Sequence, residues 1–167
     1  MGHHDHKIDA PSSIGCLVAT VSDTRTPETD ESGMLIQMLL RQGGHTVEAY
    51  RLVKDEPDLI LRLLQEAEGL SAVQSVILTG GTGVTRRDRS YEAVSAALEK
   101  TLPGFGELFR FLSYQDIGSA AMLSRATAGF YRGMAVFSLP GSTDAVRLAM
   151  EKLILPELGH LIREIGR

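Results

Sequence analysis

A glycine-rich stretch, Gly80-Gly81-Thr82-Gly83, follows the apolar run 76–78 and precedes an alanine-rich helical pattern. Glycines leave the backbone N–H groups of a loop accessible, and a row of such groups in front of a helix binds anions such as phosphate. Asp88 lies just beyond the glycines, among three arginines. A tight strand-to-helix turn without a ligand explains the same glycines, so both interpretations stay open at this point.

Two common phosphate motifs do not apply to this stretch. A P-loop needs a lysine followed by serine or threonine after its glycines, and none is present. The dinucleotide fingerprint needs a third glycine where Arg86 stands. Charge-assisted bonds to backbone N–H groups contribute about 1.5–3 kcal/mol each. Exposed arginine pairs contribute about 0–1 kcal/mol. We therefore expect the glycines, more than the arginines, to decide anion affinity.

Two acids are the candidate catalytic and metal-binding residues, Asp55 and Asp88. Each also has a simpler explanation at a helix start: Asp88 completes a capping-box pattern with Thr85, and Asp55 is placed to cap the helix that contains Pro57. Both acids nevertheless follow a predicted strand, so both can point into one cleft.

A polyphosphate ligand would require a cation between itself and these acids. A carboxylate about 4 Å from a phosphate charge is repelled by roughly 4 kcal/mol at an effective dielectric constant of 20. Mg²⁺ suits the arrangement, since it takes one or two carboxylates together with substrate phosphates and water. The pairing of acids with a glycine loop therefore predicts a Mg²⁺-nucleotide site.

The elements that must position these residues alternate between strands and helices. Apolar or alternating runs predict strands at 16–22, 45–53, 75–81 and 134–140. Helical spacing predicts a helix that ends at Gly43-Gly44, and further helices at 55–70, 91–100 (capped by Ser90), 106–118 and from 141 onward, with a break at Pro156. Residues 120–129 fit either a short helix or an irregular crossing.

This alternation predicts a three-layer α/β sandwich around a mostly parallel sheet. In such sheets ligands bind beyond the carboxyl ends of the strands. The loops after the strands at 16–22, 75–81 and 134–140 open on that edge, so we expect the site there. Ser22 and Asp23 are candidates to line it, although Asp23 equally fits a turn.

Composition narrows the class of protein. The chain has 167 residues and a formal net charge of −4, which argues against a general nucleic-acid binder. No apolar run reaches the roughly 20 residues that span a bilayer, and no hydrophobic segment follows the first residues, so we expect neither a membrane span nor a signal peptide. The single cysteine, Cys16, fits a buried position and a cytoplasmic protein. We expect one domain at 12–167 after a flexible tail at 1–11, whose three histidines are better explained by a mobile extension than by a metal site.

Several motifs, in order, resemble one family. "VSDTRTPETDESG", "TGGTGVTRRDRSYEA", "GFGELFRFLSYQDIGSAAMLSRATAG" and "SLPGST" together are similar to the MogA/MoaB family of molybdenum cofactor biosynthesis, with the third closest to the MoaB branch. The resemblance runs from about residue 12 to residue 163. It implies a molybdopterin-binding α/β fold, and in active members a molybdopterin adenylyltransferase that uses Mg-ATP and releases pyrophosphate.

The resemblance also implies site residues. Asp55 and Asp88 match the family's essential acids, and Gly80, Gly81, Thr82 and Gly83 match its phosphate-cradling loop. A second loop is matched by Pro140, Gly141 and Ser142, while Glu107 falls in the "GFGE" segment. The departures are Ser90 and Tyr91, where the family often has threonine and proline. Neither departure threatens the chemistry. A serine can still cap the helix, and Tyr91 lacks only the fixed φ angle that proline would bring to the first helical turn.

The expected reaction is in-line attack by the terminal phosphate of molybdopterin on the α-phosphorus of ATP. The alternative is a module that binds molybdopterin or a partner protein without catalysis, and a third is a structural oligomer subunit. Because both acids are retained, the sequence favours the enzyme.

The resemblance also implies a homo-oligomer, a trimer or hexamer. The apolar segment 105–123 is a candidate contact, although core packing explains it as well.

Overall fold

A six-stranded sheet forms the centre of the computed structural model, which describes residues 11–167. Its strands are β1 (Gly15–Val21), β2 (Thr46–Val53), β3 (Ser75–Thr79), β4 (Lys100–Thr101), β5 (Thr127–Tyr131) and β6 (Met134–Leu139). They are ordered β2-β1-β3-β6-β5-β4. Neighbouring strands in the series β2, β1, β3 and β6 pair in parallel. Strand β5 pairs antiparallel with β6, and β4 pairs antiparallel with β5. The predicted mostly parallel sheet is confirmed.

Helices connect the strands and cover both faces of the sheet. They are α1 (Glu31–Gln42), α2 (Pro57–Gly69), α3 (Ser90–Ala97), α4 (Pro103–Ile117), α5 (Thr143–Ala149) and α6 (Leu155–Ile165). Gly43 ends α1, and Pro57 begins α2, as the sequence predicts. The predicted strands and most of the predicted helices are therefore confirmed within a few residues.

The alternation of side chains along β1 shows how the three layers form. Cys16 and Val18 pack into a core with α1, α4, α5 and α6, while Leu17 and Ala19 pack into a second core with α2 and α3. Every residue of β1 is buried, which a parallel strand covered on both faces requires. Burial raises the pKa of the Cys16 thiol to about 12, so this cysteine is a core residue and not a nucleophile.

Three local predictions need correction. Ser90 does not cap α3, because its hydroxyl donates to Asp55 instead. Residues 118–123 form a short 3-10 helix, Gly118–Leu123, which agrees in part with the short helix left open for 120–129, but strand β5 follows and was not predicted. Pro156 does not break the closing helix. A π-helical turn, Met150–Ile154, precedes Pro156 and leads directly into α6. The wider winding of this turn accommodates the proline, which has no N–H to donate within a helix.

Two predictions concern the ends of the chain and the membrane. The expected tail at 1–11, with its histidines, lies outside the described residues except for Pro11. None of the helices in residues 11–167 is both long enough and apolar enough to cross a membrane.

Candidate functional site

The loops that follow β3 and β6 meet at the carboxyl edge of the sheet. The Gly80 N–H donates to the Leu139 carbonyl at 2.9 Å, and the Thr79 hydroxyl donates to the Pro140 carbonyl at 2.9 Å. Beside this junction lies a cleft of about 400 Å³. Its lining includes most of the sequence-predicted residues: Gly80, Gly81, Thr82, Gly83, Asp88, Pro140, Gly141 and Ser142. The remaining wall comes from α4, the segment that follows it and Ala145 of α5.

The first two positions of the glycine loop (residues 80–83) require glycine. Gly80 has φ +100° and Gly81 has φ +67°, in a region that side-chain-bearing residues rarely adopt. A Cβ on Gly80 would stand 2.2 Å from the Val21 carbonyl oxygen, and one on Gly81 would stand 2.0 Å from the Ser90 hydroxyl. The loop is therefore held against β1 and α3 in a conformation set by its sequence.

The loop presents a row of unused backbone donors. Within residues 11–167, the N–H groups of Gly81, Thr82, Gly83 and Val84 make no hydrogen bond to the protein. Successive N–H groups in a loop with positive φ values form the kind of concavity that binds phosphate or another anion. The cleft beside them is large enough for such a group. The geometry therefore provides a candidate anion site at the loop.

Asp55 lies behind this loop and is buried, with 5% of its surface exposed. Its carboxylate does not cap its own helix α2. Both oxygens accept from the Arg89 N–H at 3.2 Å, and Oδ1 also accepts from the Ser90 hydroxyl at 3.1 Å. Burial raises the pKa of Asp55, the bonds from Arg89 and Ser90 oppose that rise, and the charges of Asp88 and Asp23 add to it. Asp55 thus joins the end of β2 to the start of α3.

Asp88 lies closer to the cleft and is half-buried. Its Oδ2 accepts from the Thr85 N–H at 3.0 Å and from the Thr85 hydroxyl. Only one half of the capping box is present, because the Asp88 N–H donates to the Thr85 carbonyl at 3.1 Å and not to its hydroxyl, and α3 begins only at Ser90. A Cβ on Gly83 would stand 2.6 Å from Asp88 Oδ2, so the carboxylate packs directly against the glycine loop.

Of the two acids, only Asp88 lines the cleft, where a carboxylate can meet a divalent cation carried by a ligand. No group of three or more His, Cys, Asp or Glu side chains suited to a metal occurs in the described chain. Mg²⁺ is commonly held by only one or two carboxylates plus substrate phosphates. Asp88 has the access to the cleft that a ligand needs, whereas both oxygens of Asp55 already accept hydrogen bonds.

Three other predicted residues lie beside the cleft and do not line it. The Ser22 hydroxyl accepts from the backbone of Thr24 and Arg25 in a turn. Asp23 accepts from the Asp55 N–H at 3.3 Å and pairs with Arg87 at 2.6 Å. Glu107 is exposed on α4 and lines a separate recess. Ser22 therefore stabilises a local turn, whereas the carboxylate of Asp23 bonds to Asp55 and Arg87 on other segments, so its hydrogen bonds are neither those of a turn nor those of a residue lining the cleft.

The loop 140–142 is positioned by residues that the sequence did not single out. The Gly141 carbonyl accepts from the Ser32 hydroxyl at 2.7 Å and from the Arg25 guanidinium at 3.1 Å. Arg25 also pairs with Asp30, at 3.3 Å. The spacing of Asp30 before α1 signals an N-cap, and its Oδ1 does accept from the Gly33 N–H.

Asp30 is fully buried and connects three elements. Its Oδ2 accepts from the Thr20 hydroxyl of β1 at 2.5 Å and from the Tyr50 hydroxyl of β2 at 2.6 Å. Burial alone would raise the pKa of Asp30, but these bonds, the Gly33 N–H and the Arg25 charge together lower it. Asp30 is therefore a charged anchor beneath the 140–142 loop.

Comparison with known proteins shows which family the chain matches. A family model described as "Probable molybdopterin binding domain" matches residues 17–160. The chain is 52% identical to molybdenum cofactor biosynthesis protein B of Halalkalibacterium halodurans over 166 residues, which is 99% of this chain and 98% of the relative.

Solved structures show the same fold. A crystal structure of molybdenum cofactor biosynthesis protein B is 53% identical and superposes with a TM-score of 0.92, over 95% of this chain and 99% of that one. The tungsten cofactor synthesizing protein MoaB from Pyrococcus furiosus is 40% identical, with a TM-score of 0.85 over 95% of this chain and 100% of that one.

Proposed function

The chain belongs to the molybdopterin-binding family of molybdenum cofactor biosynthesis, and from this premise we propose that it is a Mg-ATP-dependent molybdopterin adenylyltransferase. The reaction would join the adenylyl group of ATP to the terminal phosphate of molybdopterin and release pyrophosphate. One observation carries the proposal: the N–H groups of residues 81–84 have no partner within residues 11–167, and Gly81, Thr82 and Gly83 line the same cleft as Asp88.

Phosphoryl transfer depends mainly on positioning the substrates and neutralising the charge of their phosphates, and the glycine loop would contribute to both. Its N–H groups would hold the phosphates of ATP while the two substrates align. Because the loop is fixed by Gly80 and Gly81, these donors need not reorganise when negative charge shifts toward the leaving pyrophosphate.

Asp88 would hold Mg²⁺ directly, through the carboxylate that faces the cleft. When bound, the cation supplies neutralisation of the phosphate charge. Asp55 would act from behind, directly on the loop or through water to the metal, since its carboxylate fixes the Arg89 N–H and the Ser90 hydroxyl. Neither acid is needed as a base, because a phosphate dianion is already a nucleophile at neutral pH.

Self-association and location are parts of the same proposal. Leu108, Phe111, Tyr114 and Ile117 recur every three residues on α4, and each is more than half exposed. Their neighbour Phe109 is buried, so core packing explains only part of the segment 105–123. We propose that the exposed stripe contacts other copies of this chain in a trimer or hexamer, and that the reaction takes place in the cytoplasm.

The test is to incubate the purified protein with Mg-ATP and molybdopterin and to separate adenylyl-molybdopterin by chromatography. The proposal predicts a product that depends on both substrates. Tight molybdopterin binding without product would replace the enzyme with a binding module of the same fold. Sedimentation analysis of the same sample, beside Phe111→Glu, tests the proposed oligomer.

A further inference from the structure

Arg125 makes an unusual set of contacts with the glycine loop, about forty residues earlier in the chain. Its Nε donates to the Thr82 carbonyl at 3.1 Å, and its Nη2 donates to the carbonyls of Gly83 and of Asp88, the latter at 3.4 Å. Its Nη1 pairs with Glu92, and the guanidinium lies over the Tyr91 ring, 4.8 Å from the centroid. One planar side chain therefore holds three carbonyls of one loop.

The peptide between residues 88 and 89 shows what this arrangement does. Its carbonyl oxygen, on Asp88, points to Arg125, and its N–H, on Arg89, donates to the Asp55 carboxylate. A trans peptide is planar, so its C=O and N–H must point in opposite directions. A cation at one end and a carboxylate at the other fix the orientation of this peptide.

The same constraint sets the direction of the unused donors. Because the carbonyls of Thr82 and Gly83 face Arg125, the N–H groups of Gly83 and Val84 must face away from it. These are two of the four N–H groups that have no partner in residues 11–167. Gly83 lines the cleft, whereas Arg125 lines a separate recess of about 500 Å³.

We propose that Arg125 is a positioning residue, which holds the glycine loop so that its N–H groups face the cleft and bind the phosphates. The inference rests on the proposed function for the identity of the ligand, but not for the orientation of the loop. Arg125 does not touch the ligand. Its charge is balanced by Glu92, so its effect on the anion comes through the backbone.

Arg132 provides a matched control. It also pairs with a glutamate, Glu68 at 2.6 Å, and lies over a tyrosine ring, Tyr131 at 5.4 Å. Both of these contacts leave the glycine loop untouched. Arg132→Lys therefore removes the same kind of guanidinium from the same kind of surroundings without changing the loop.

The experiment compares Arg125→Lys, Arg125→Gln and Arg132→Lys in two measurements. Calorimetry follows the binding of inorganic tripolyphosphate with Mg²⁺, and NMR follows hydrogen exchange of the Arg89 amide. We expect Arg125→Gln to weaken tripolyphosphate binding by about tenfold or more and to speed Arg89 exchange. Arg125→Lys should restore only part of the binding, because an ammonium cannot hold three carbonyls in one plane. Arg132→Lys should change neither.

The two measurements separate this inference from the proposed function. Wild-type binding and wild-type exchange in Arg125→Gln would overturn the positioning role. Unchanged Arg89 exchange alone would overturn it too, even if binding fell. If the wild type binds no tripolyphosphate, the proposed function fails, and faster Arg89 exchange in Arg125→Gln would still support the orienting role.

Discussion

Asp55 Oδ2 lies 2.6 Å from the place that a Cβ atom on Gly81 would occupy. A buried acid and a glycine thus touch at the point where the glycine loop turns toward α3. The contact explains why the two residue types occur together: the carboxylate fixes the start of α3, and only a residue without a side chain leaves room for it.

Gly81→Ala should therefore damage both stability and binding. The added methyl would meet Ser90 and Asp55 at a residue with φ +67°, so we expect the free energy of unfolding to fall by about 1–3 kcal/mol. Gly69→Ala is the control, because a Cβ there has nothing within 4 Å. Urea unfolding and Mg-ATP binding should be measured on both. A Gly81→Ala protein that behaves like Gly69→Ala would contradict the geometry.

Asp55 should make the stability fall as pH rises. Its folded-state pKa is raised above the ordinary 3.8, mainly by burial. Between pH 3.8 and that raised pKa, the folded protein therefore binds more protons than the unfolded chain. The free energy of unfolding therefore decreases through that window and is flat above it. Asp55→Asn lacks this titration. We expect the wild type to be more stable relative to Asp55→Asn near pH 4 than at pH 7. A difference that is constant, or grows with pH, would refute the assignment.

The Asp30 anchor should matter more for stability than either of its hydroxyl partners. Asp30→Asn leaves buried donors and the Arg25 charge poorly matched, so we expect a loss of about 2–4 kcal/mol in the free energy of unfolding. Tyr50→Phe removes one bond to a charged group and should cost about 1–2 kcal/mol. Tyr131→Phe is the control and should cost less than Tyr50→Phe, because the Tyr131 hydroxyl makes no hydrogen bond to residues 11–167. Thermal unfolding that ranks Tyr50→Phe with Tyr131→Phe would contradict the network.

The parts of this fold that depend on local pattern were predictable from sequence. The buried strands, the proline at the start of α2 and the glycines of residues 80–83 each carry their own signal within a few residues. Strand β4 has only two residues, and β5 contains a glycine and pairs antiparallel at the far side of the sheet, so neither carries a clear periodicity.

The parts that failed depend on contacts between distant segments. Ser90 is a residue type that caps helices, but its hydroxyl donates a hydrogen bond to Asp55, 35 residues away, instead. Arg125 and Asp30 look ordinary in sequence because their roles come from carbonyls and hydroxyls on other elements. The glycine loop and Asp88 are recognisable as a candidate site from sequence, while the residues that orient them are visible only once the chain is folded.

We propose that the glycine loop and Asp88 position ATP so that its adenylyl group passes to the terminal phosphate of molybdopterin. The most direct measurement is a single-turnover reaction with α-phosphate-labelled ATP, Mg²⁺ and molybdopterin, which follows labelled adenylyl-molybdopterin and pyrophosphate together. Three proteins should be compared: the wild type, Asp88→Asn, and Asp58→Asn, which makes the same change at an exposed acid in the first turn of α2.

We expect equal amounts of the two products from the wild type and from Asp58→Asn. Asp88→Asn should be slower by about a hundredfold or more, with its melting temperature little changed. Equal rates for Asp88→Asn and the wild type, or molybdopterin binding without either product in the wild type, would contradict the account.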